Sequence, residues 1–261
     1  MDARHEPQAQ ADIVIPVYNQ LEYTRACLDS LRSATDWPHQ LIIIDNGSSD
    51  GTSEYLSSLQ SAGWPLQVIA NSRNLGFTLA ANQGMRAARS HYVVLLNNDT
   101  TVTQHWLFGL LRVAESSDDI GIVGPKILSP QTDCIRGIGG LVFREGRVQG
   151  PLGEGCSRED PTYGVPCEVQ YAEGSCMLIK RPVIETIGYL DEQYAPAYYE
   201  DTDYCFRARE AGFRIVYSPY SAIYHHSTVT AQTVQREDSQ FTRAALRNER
   251  TFRERWSHRF G

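Results

Sequence analysis

Tyr92-Val93-Val94-Leu95-Leu96-Asn97-Asn98-Asp99-Thr100 is the stretch on which the rest of the chain is organised. Five apolar or aromatic residues run without a break into two amides and a carboxylate. A run this short, bounded by polar residues, predicts a strand buried on both faces, as in a parallel sheet. The carboxyl end of such a strand is where open α/β sheets bind ligands. Asp99 is therefore a candidate for holding a metal ion against a diphosphate. It would serve equally well as the cap of a turn before the next helix, and spacing alone leaves both readings open.

Upstream, the same pattern repeats. Ile13-Val14-Ile15-Pro16-Val17 reads as a strand ending in Tyr18-Asn19, and Leu41 to Ile44 as a second ending in Asp45. Leu66 to Ile69 gives a third. Helices are expected over 22–32, after the turn residues Asn46 to Thr52 (with Asp50 or a neighbour as cap), and over 78–89. This alternation of strand and helix implies a parallel sheet with right-handed crossovers. It brings Asn19, Asp45 and Asn97 to Asp99 to one edge, where they can converge on one ligand.

Downstream the order is less regular. A helix is expected near Gln104 to Glu115, then a strand over Ile120 to Val123. The Gly-rich stretch from Gly137 to Gly155, with a hairpin over 141–148, suits a lid or an inert surface loop. Val169 to Lys180 reads as a strand interrupted at Gly174-Ser175, which marks a bulge or a close approach of backbone to a ligand. Glu200-Asp201-Thr202-Asp203 opens a helix to about Ala211, and acids suit a helix start for dipole reasons alone, Asp203 above all. Two short strands follow, Arg214 to Tyr217 and Ala222 to Tyr224, the second ending at His225-His226, where a metal ligand is plausible chemistry.

Composition narrows the classes. The 261 residues carry a net charge of −7, which argues against a general nucleic-acid binder. No apolar run approaches a membrane span, and residues 1–11 read as a polar, disordered start. The six cysteines show no zinc spacing and read as reduced thiols of a cytoplasmic protein. The last segment, 235–261, predicts an amphipathic helix with Phe241, Ala245, Phe252 and Trp256 inward. It carries seven arginines against four acids, a balance suited to a solvated face or to peripheral contact with the inner face of a membrane.

Taken in order, these motifs resemble those of family 2 glycosyltransferases of the inverting GT-A type, and in particular the rhamnosyltransferase-like members. The resemblance implies an α/β fold, with a single Rossmann-like, mostly parallel sheet, helices on both faces and a smaller acceptor-side subregion. It implies one domain over 12–234, with a nucleotide-sugar half at 12–103 and an acceptor and catalytic half at 104–234. Pro16, Val17, Tyr18 and Asn19 are similar to the family's nucleotide loop, and Asp45 to the acid that contacts the donor's base. Arg73, Asn74, Gly76 and Asn82 resemble the segment lining the nucleotide site, with Asn97 and Asn98 completing the donor side. Gly174, Ser175 and Cys176 resemble the floor of the sugar site. Glu200 and Asp201 resemble the ED pair, whose Asp acts as base. Asp99 and His225 match positions that hold Mn or Mg.

These matches imply transfer of a sugar from a UDP- or dTDP-linked donor to a glycan or lipid-linked acceptor. One departure stands out: Asn97 occupies the place of the first Asp of the family's D-x-D motif, and it adds no charge. That loss is the support for an alternative, a non-catalytic domain of the same fold that binds a nucleotide or a partner. A nucleotidyltransferase is disfavoured because Pro16 to Leu21 has neither Gly nor Lys, and a dinucleotide-binding dehydrogenase because no GxGxxG follows the first strand.

Overall fold

A computed structural model describes residues 10–142, 151–226 and 239–259. β1 (Ala11–Val17) is buried throughout and lies between β2 (His39–Asp45) and β4 (Tyr92–Leu96), parallel to both. β3 (Leu66–Ala70) extends the parallel set beyond β2. The connecting helices α1 (Leu21–Ala34), α2 (Thr52–Ser61) and α3 (Phe77–Ala87) match the expected positions within two residues. Asp50 serves the first two of them together. One carboxylate oxygen accepts from the Leu21 amide at 2.9 Å, and the other from the Thr52 amide at 3.2 Å. The first strand includes Ala11, which the sequence reading had assigned to the polar start; residues 1–9 lie outside the described residues.

Beyond β4 the sheet changes character. β5 (Thr100–Val102) and α4 (Trp106–Ala114) lead to β6 (Ile120–Leu128), and β7 (Ile135–Gly137) pairs with β6. After the two-residue β8 (Cys167–Glu168) comes β9 (Cys176–Lys180), which runs antiparallel between β4 and β6. The full order is β3-β2-β1-β4-β9-β6-β10-β5, where β10 is Arg214–His225.

Two expectations are corrected here. The strand expected from Val169 begins only at Cys176; before it, the Val169 amide bonds the Ile215 carbonyl and Tyr171 bridges Gly140. The two short strands expected near 214 and 222 are one, with an irregular register between Ser218 and Ala222. The hairpin expected over 141–148 falls mostly outside the described residues.

Alternation along the strands builds two cores, one on each face of the sheet. Val14, Ile42, Ile44, Val93, Leu95, Met177 and Ile179 face α3 and α6 (Glu200–Glu210). Ile13, Ile15, Leu41, Ile43, Val94, Leu96 and Leu178 face α1 and α4. α5 (Arg181–Ile187) continues directly from β9. The C-terminal helix α7 (Ser239–Trp256) joins the first core by Phe252 and Trp256. Its buried stripe is Ala244, Asn248, Phe252 and Trp256, four residues apart each time, so the inward set expected from sequence was right at its end and displaced at its start. Among the described residues no helix is long and apolar enough to cross a membrane.

Candidate active site

Because β9 runs against β4, its amino end meets the carboxyl end of β4. Leu96 pairs with Cys176, and just past that pair the Asn97 amide donates to the Ser175 carbonyl at 3.0 Å. Two residues on, Asp99 turns the chain back into β5, which pairs with the end of β10 so that Thr100 faces His225. Asp99 Oδ1 then lies 3.2 Å from His225 Nε2, and both side chains are largely buried. The Asp99 carbonyl accepts from the His226 amide. Residues 126 positions apart thus share one corner, built by a strand pairing.

The second acidic cluster reaches the same edge. The Gly174 amide donates to Asp201 Oδ2 at 2.8 Å, and Asp201 Oδ1 accepts from the Thr202 amide and hydroxyl. A β-carbon on Gly174 would press on Asp201, so the residue's missing side chain is what allows the approach. Burial pushes the Asp201 carboxyl up, while the bonds from Gly174 and Thr202 pull it back. Glu200 next door is pushed well above the usual carboxylate range by burial and then by the charge of Asp201. Just before this pair, Tyr198 and Tyr199 both take the left-handed conformation, at φ 80° and 72°. Bulky residues hold that conformation only where the surroundings over-determine it, a pattern typical of functional turns.

Buried polar atoms lacking any hydrogen-bond partner are rare, and each asks for an explanation. Among the described residues six side chains carry such an atom: Asn97, Glu173, Ser175, Glu200, Ser221 and His225. All but Ser221 belong to the edge just described. Glu173 was not singled out from the sequence. Burial raises its carboxyl, partly countered by His225, and its unpartnered Oε1 lies against Gly137. The only hint in the sequence was an acid immediately before Gly174-Ser175.

Among the residues expected to take the donor, Asp45 closes β2 and is buried; it accepts from the Ser48 amide at 3.0 Å and from the Ser53 hydroxyl. Asn19, left-handed at φ 53°, accepts from the Ser49 amide and donates its own amide to Ser48 Oγ, joining the first two strand-end loops. Tyr18 is half-buried beside it, after Pro16 and the fully buried Val17. Asn74 Oδ1 accepts from Asn46 and from the Gly76 amide, and Arg73 is exposed. Asn46, not among the expected site residues, is the centre of this loop: it also bonds Asn71, Leu75 and Gly76. Asn98 donates to Thr24 at 3.0 Å.

Three expected roles meet a different environment. Asn82 is fully buried, with its amide bonded to both the amide and the carbonyl of Leu190 and to Glu192, so it ties α3 to the segment before α6. Cys176 is fully buried in β9, packed in the core with Leu96; the alternation that leaves Ser175 at the edge turns Cys176 inward. Asp203 does more than match a helix dipole. It has no exposed surface and accepts from Tyr194, Arg207 and Trp256, with Arg255 3.3 Å away.

The donor set at the corner is one carboxylate and one imidazole. Among the described residues no group of three or more His, Cys, Asp or Glu side chains converges as a metal centre. A divalent ion held there would need further ligands from a bound diphosphate or water, which suits a substrate-bridging ion better than a permanent structural one. The imidazole's second nitrogen, buried and unpartnered among the described residues, shows that the pair is not a closed network in itself.

Comparison with known proteins agrees with this geometry. The family model described as glycosyl transferase family 2 matches residues 12–188, and that described as glycosyltransferase-like family 2 matches 167–251. A pre-mycofactocin glycosyltransferase of Mycobacterium tuberculosis is 27% identical over 227 residues, which cover 86% of this chain and 44% of that protein. An N-acetylglucosaminyl-diphospho-decaprenol L-rhamnosyltransferase of the same organism is 28% identical over 237 residues, 82% of this chain and 75% of its own length. Among solved structures, GalNAc-T7 with UDP, GalNAc and Mn2+ superimposes with a TM-score of 0.69 at 16% identity, over 84% of this chain and 44% of that one. That likeness is one of fold, and the fold is of the GT-A type. The chain spans less than half the length of the first of these relatives. With one family model matched over most of the sequence, the chain belongs to glycosyl transferase family 2.

Proposed function

We propose that this chain transfers a sugar from a UDP- or dTDP-linked donor to a hydroxyl of a glycan or lipid-linked acceptor, by a single displacement with inversion. The observation that carries the reading is the gathering of unpartnered buried polar atoms on Asn97, Glu173, Ser175, Glu200 and His225 at one sheet edge, beside Asp99 and Asp201. Buried groups of this kind await a polar ligand. Three of the atoms are acceptor oxygens, of Asn97, Glu173 and Glu200, so the ligand portion lying there must offer donors, as sugar hydroxyls do.

In this reading Asp45, Asn19, Tyr18 and the turn from Arg73 to Gly76 take the nucleotide, with Asn97 and Asn98 beside the ribose and phosphates. Asp99 and His225 are the residues that would hold a divalent cation, Mn or Mg, whose chemistry there is to neutralise charge building on the departing diphosphate. Asp201 takes the proton from the acceptor hydroxyl as that oxygen bonds to the anomeric carbon, while the bond to the diphosphate oxygen breaks on the opposite face. Burial raises its carboxyl, which makes it a stronger base than an exposed Asp, and the bonds from Gly174 and Thr202 fix its orientation. Glu200, whose carboxyl is pushed well above the usual range by burial and then by the charge of Asp201, lies beside it with an unpartnered oxygen open to a hydroxyl of the acceptor. Neighbouring carboxyls with separated affinities for the proton are a recurring division of labour in active sites. The six free cysteines fit a reducing, cytoplasmic setting.

The test is to incubate the chain with a panel of UDP- and dTDP-sugars and a glycan acceptor mixture, with Mn, Mg or EDTA, and to follow nucleoside-diphosphate release. Release with one donor class, dependent on acceptor, supports the reading. Binding without release under every condition would favour the non-catalytic alternative that Asn97 suggests.

A further inference from the structure

Asn248, in the middle of α7, is fully buried, although an amide contributes little to a hydrophobic stripe. Its Nδ2 donates to the carbonyls of Tyr194 at 2.6 Å, Ala197 at 2.9 Å and Tyr198 at 3.0 Å. Its Oδ1 accepts from the guanidinium of Arg247 at 3.0 and 3.1 Å, which fixes the amide with its donors toward those carbonyls. Arg247 also bonds the Ala195 carbonyl. The segment so gripped, 194–199, is the one that ends in the two left-handed tyrosines and delivers Glu200 and Asp201. Phe252, one turn on, packs its ring 5.4 Å from that of Tyr199.

The opposite side of the segment is held by the donor half. The Thr78 amide donates to the Pro196 carbonyl, and Gly76 comes so near Pro196 that a β-carbon would collide with it. A left-handed pair of non-glycine residues needs such restraint from both sides. Helix α7 reaches the site through this segment: among the described residues the hydrogen bonds of Asn248 go to Tyr194, Ala197, Tyr198 and Arg247.

We infer that Asn248 is a positioning residue for the reaction: it fixes the turn that aims Asp201 at the acceptor hydroxyl. The inference rests on the proposed transferase reading for its kinetic effect, though its structural part does not. Removing the amide loosens the turn, and the base is then misplaced in a fraction of encounters. Donor binding survives, since that half of the site is built by other elements. A misplacement of about 1 Å in a reacting group costs on the order of 100-fold in rate.

The experiment compares Asn248→Ala and Arg247→Ala with wild type and with Arg243→Ala, an exposed arginine on the same helix. Four readouts are taken: thermal unfolding, kcat, donor KM, and amide hydrogen exchange over 198–203. Asn248→Ala should lower kcat by about 100-fold with donor KM changed less than about twofold, and it should speed exchange at 198–203. Arg247→Ala, on an exposed side chain that leaves folding intact, should shift the same readouts in the same direction by less, and Arg243→Ala should shift none. A folded Asn248→Ala or Arg247→Ala protein with wild-type kcat and wild-type exchange overturns the inference. So does a loss shared equally between kcat and donor KM, which marks general destabilisation. If Asn248→Ala does not fold, Arg247→Ala alone decides. Should wild type release no diphosphate from any donor, the transferase reading fails, while the exchange result still supports or overturns the grip on the turn.

Discussion

Glu200 and Asp201 are neighbours in sequence that meet different surroundings, and each leads to its own expectation. Burial and the charge of Asp201 hold the Glu200 carboxyl well above its ordinary value of about 4.3. A carboxyl shifted upward by folding stabilises the native state below its unfolded pKa, and that contribution is lost as pH rises through the folded value. Glu200→Gln removes the loss. The variant's stability relative to wild type should therefore increase as pH goes from about 4 toward neutrality, and urea midpoints at several pH values would measure it; a difference independent of pH would count against the burial argument. Asp201→Asn keeps the shape and removes the proton acceptor. Turnover should fall by about 100 to 10,000-fold with donor affinity preserved, and calorimetry with the nucleoside diphosphate would show whether that affinity holds. For Asp99, EDTA should weaken binding of UDP or dTDP by wild type but have no further effect on Asp99→Ala. A nucleotide present at 100 times its dissociation constant adds ~2.7 kcal/mol of stability, so a melting-temperature screen suffices to read this.

At the scale of elements, the parallel half was legible because each of its strands is a short apolar run with a polar residue at its exit. The antiparallel half was not. Nothing local in Cys176 to Lys180 says that it pairs with Tyr92 to Leu96, since sequence-distant pairing leaves no mark on spacing. The same gap explains the site. Asp99, His225 and Asp201 stand out by motif and by strand ends, whereas Glu173 becomes visible only when β9 brings it to the edge beside His225. Asn82 and Cys176 look like neighbours of the site in sequence, yet helix and strand periodicity turn both inward. The junction of α3 with the turn before α6 offers a direct check of element packing. Gly76 has φ +86° and faces Pro196, so Gly76→Ala adds both backbone strain and a collision. A loss of about 1–3 kcal/mol is expected for the strain alone. It should appear in the denaturant midpoint, with the slope of the transition unchanged.

For the molecule as a whole, the C-terminal helix is an integral part of the fold. Phe206 packs edge-on against Phe252 at 5.2 Å and tilted against Trp256 at 5.3 Å, and the Trp256 indole bonds Asp203 at 3.0 Å. Several arginines of the helix and of the turn after it face acids of the body or of the helix itself: Arg250 with Glu254, Arg255 with Asp191, and Arg259 with Glu210. Trp256→Ala should cost about 3–5 kcal/mol, since it opens a cavity and leaves part of Asp203 unpartnered; equilibrium unfolding would measure it. A loss below ~1 kcal/mol would mean that the helix is only loosely attached. The reversed direction of β9 carries a consequence of another kind. In the proposed transferase reading, the donor is taken by strand exits and their following helices, while the acceptor side is formed by a strand entrance and the long excursion that precedes it. Insertions or exchanges in that excursion lengthen a connection without shifting any register in the parallel half. On that reading, descendants of such a chain would acquire new acceptors by drift in one segment while inheriting the donor unchanged, a division that favours diversification of products from a common pool of activated sugars.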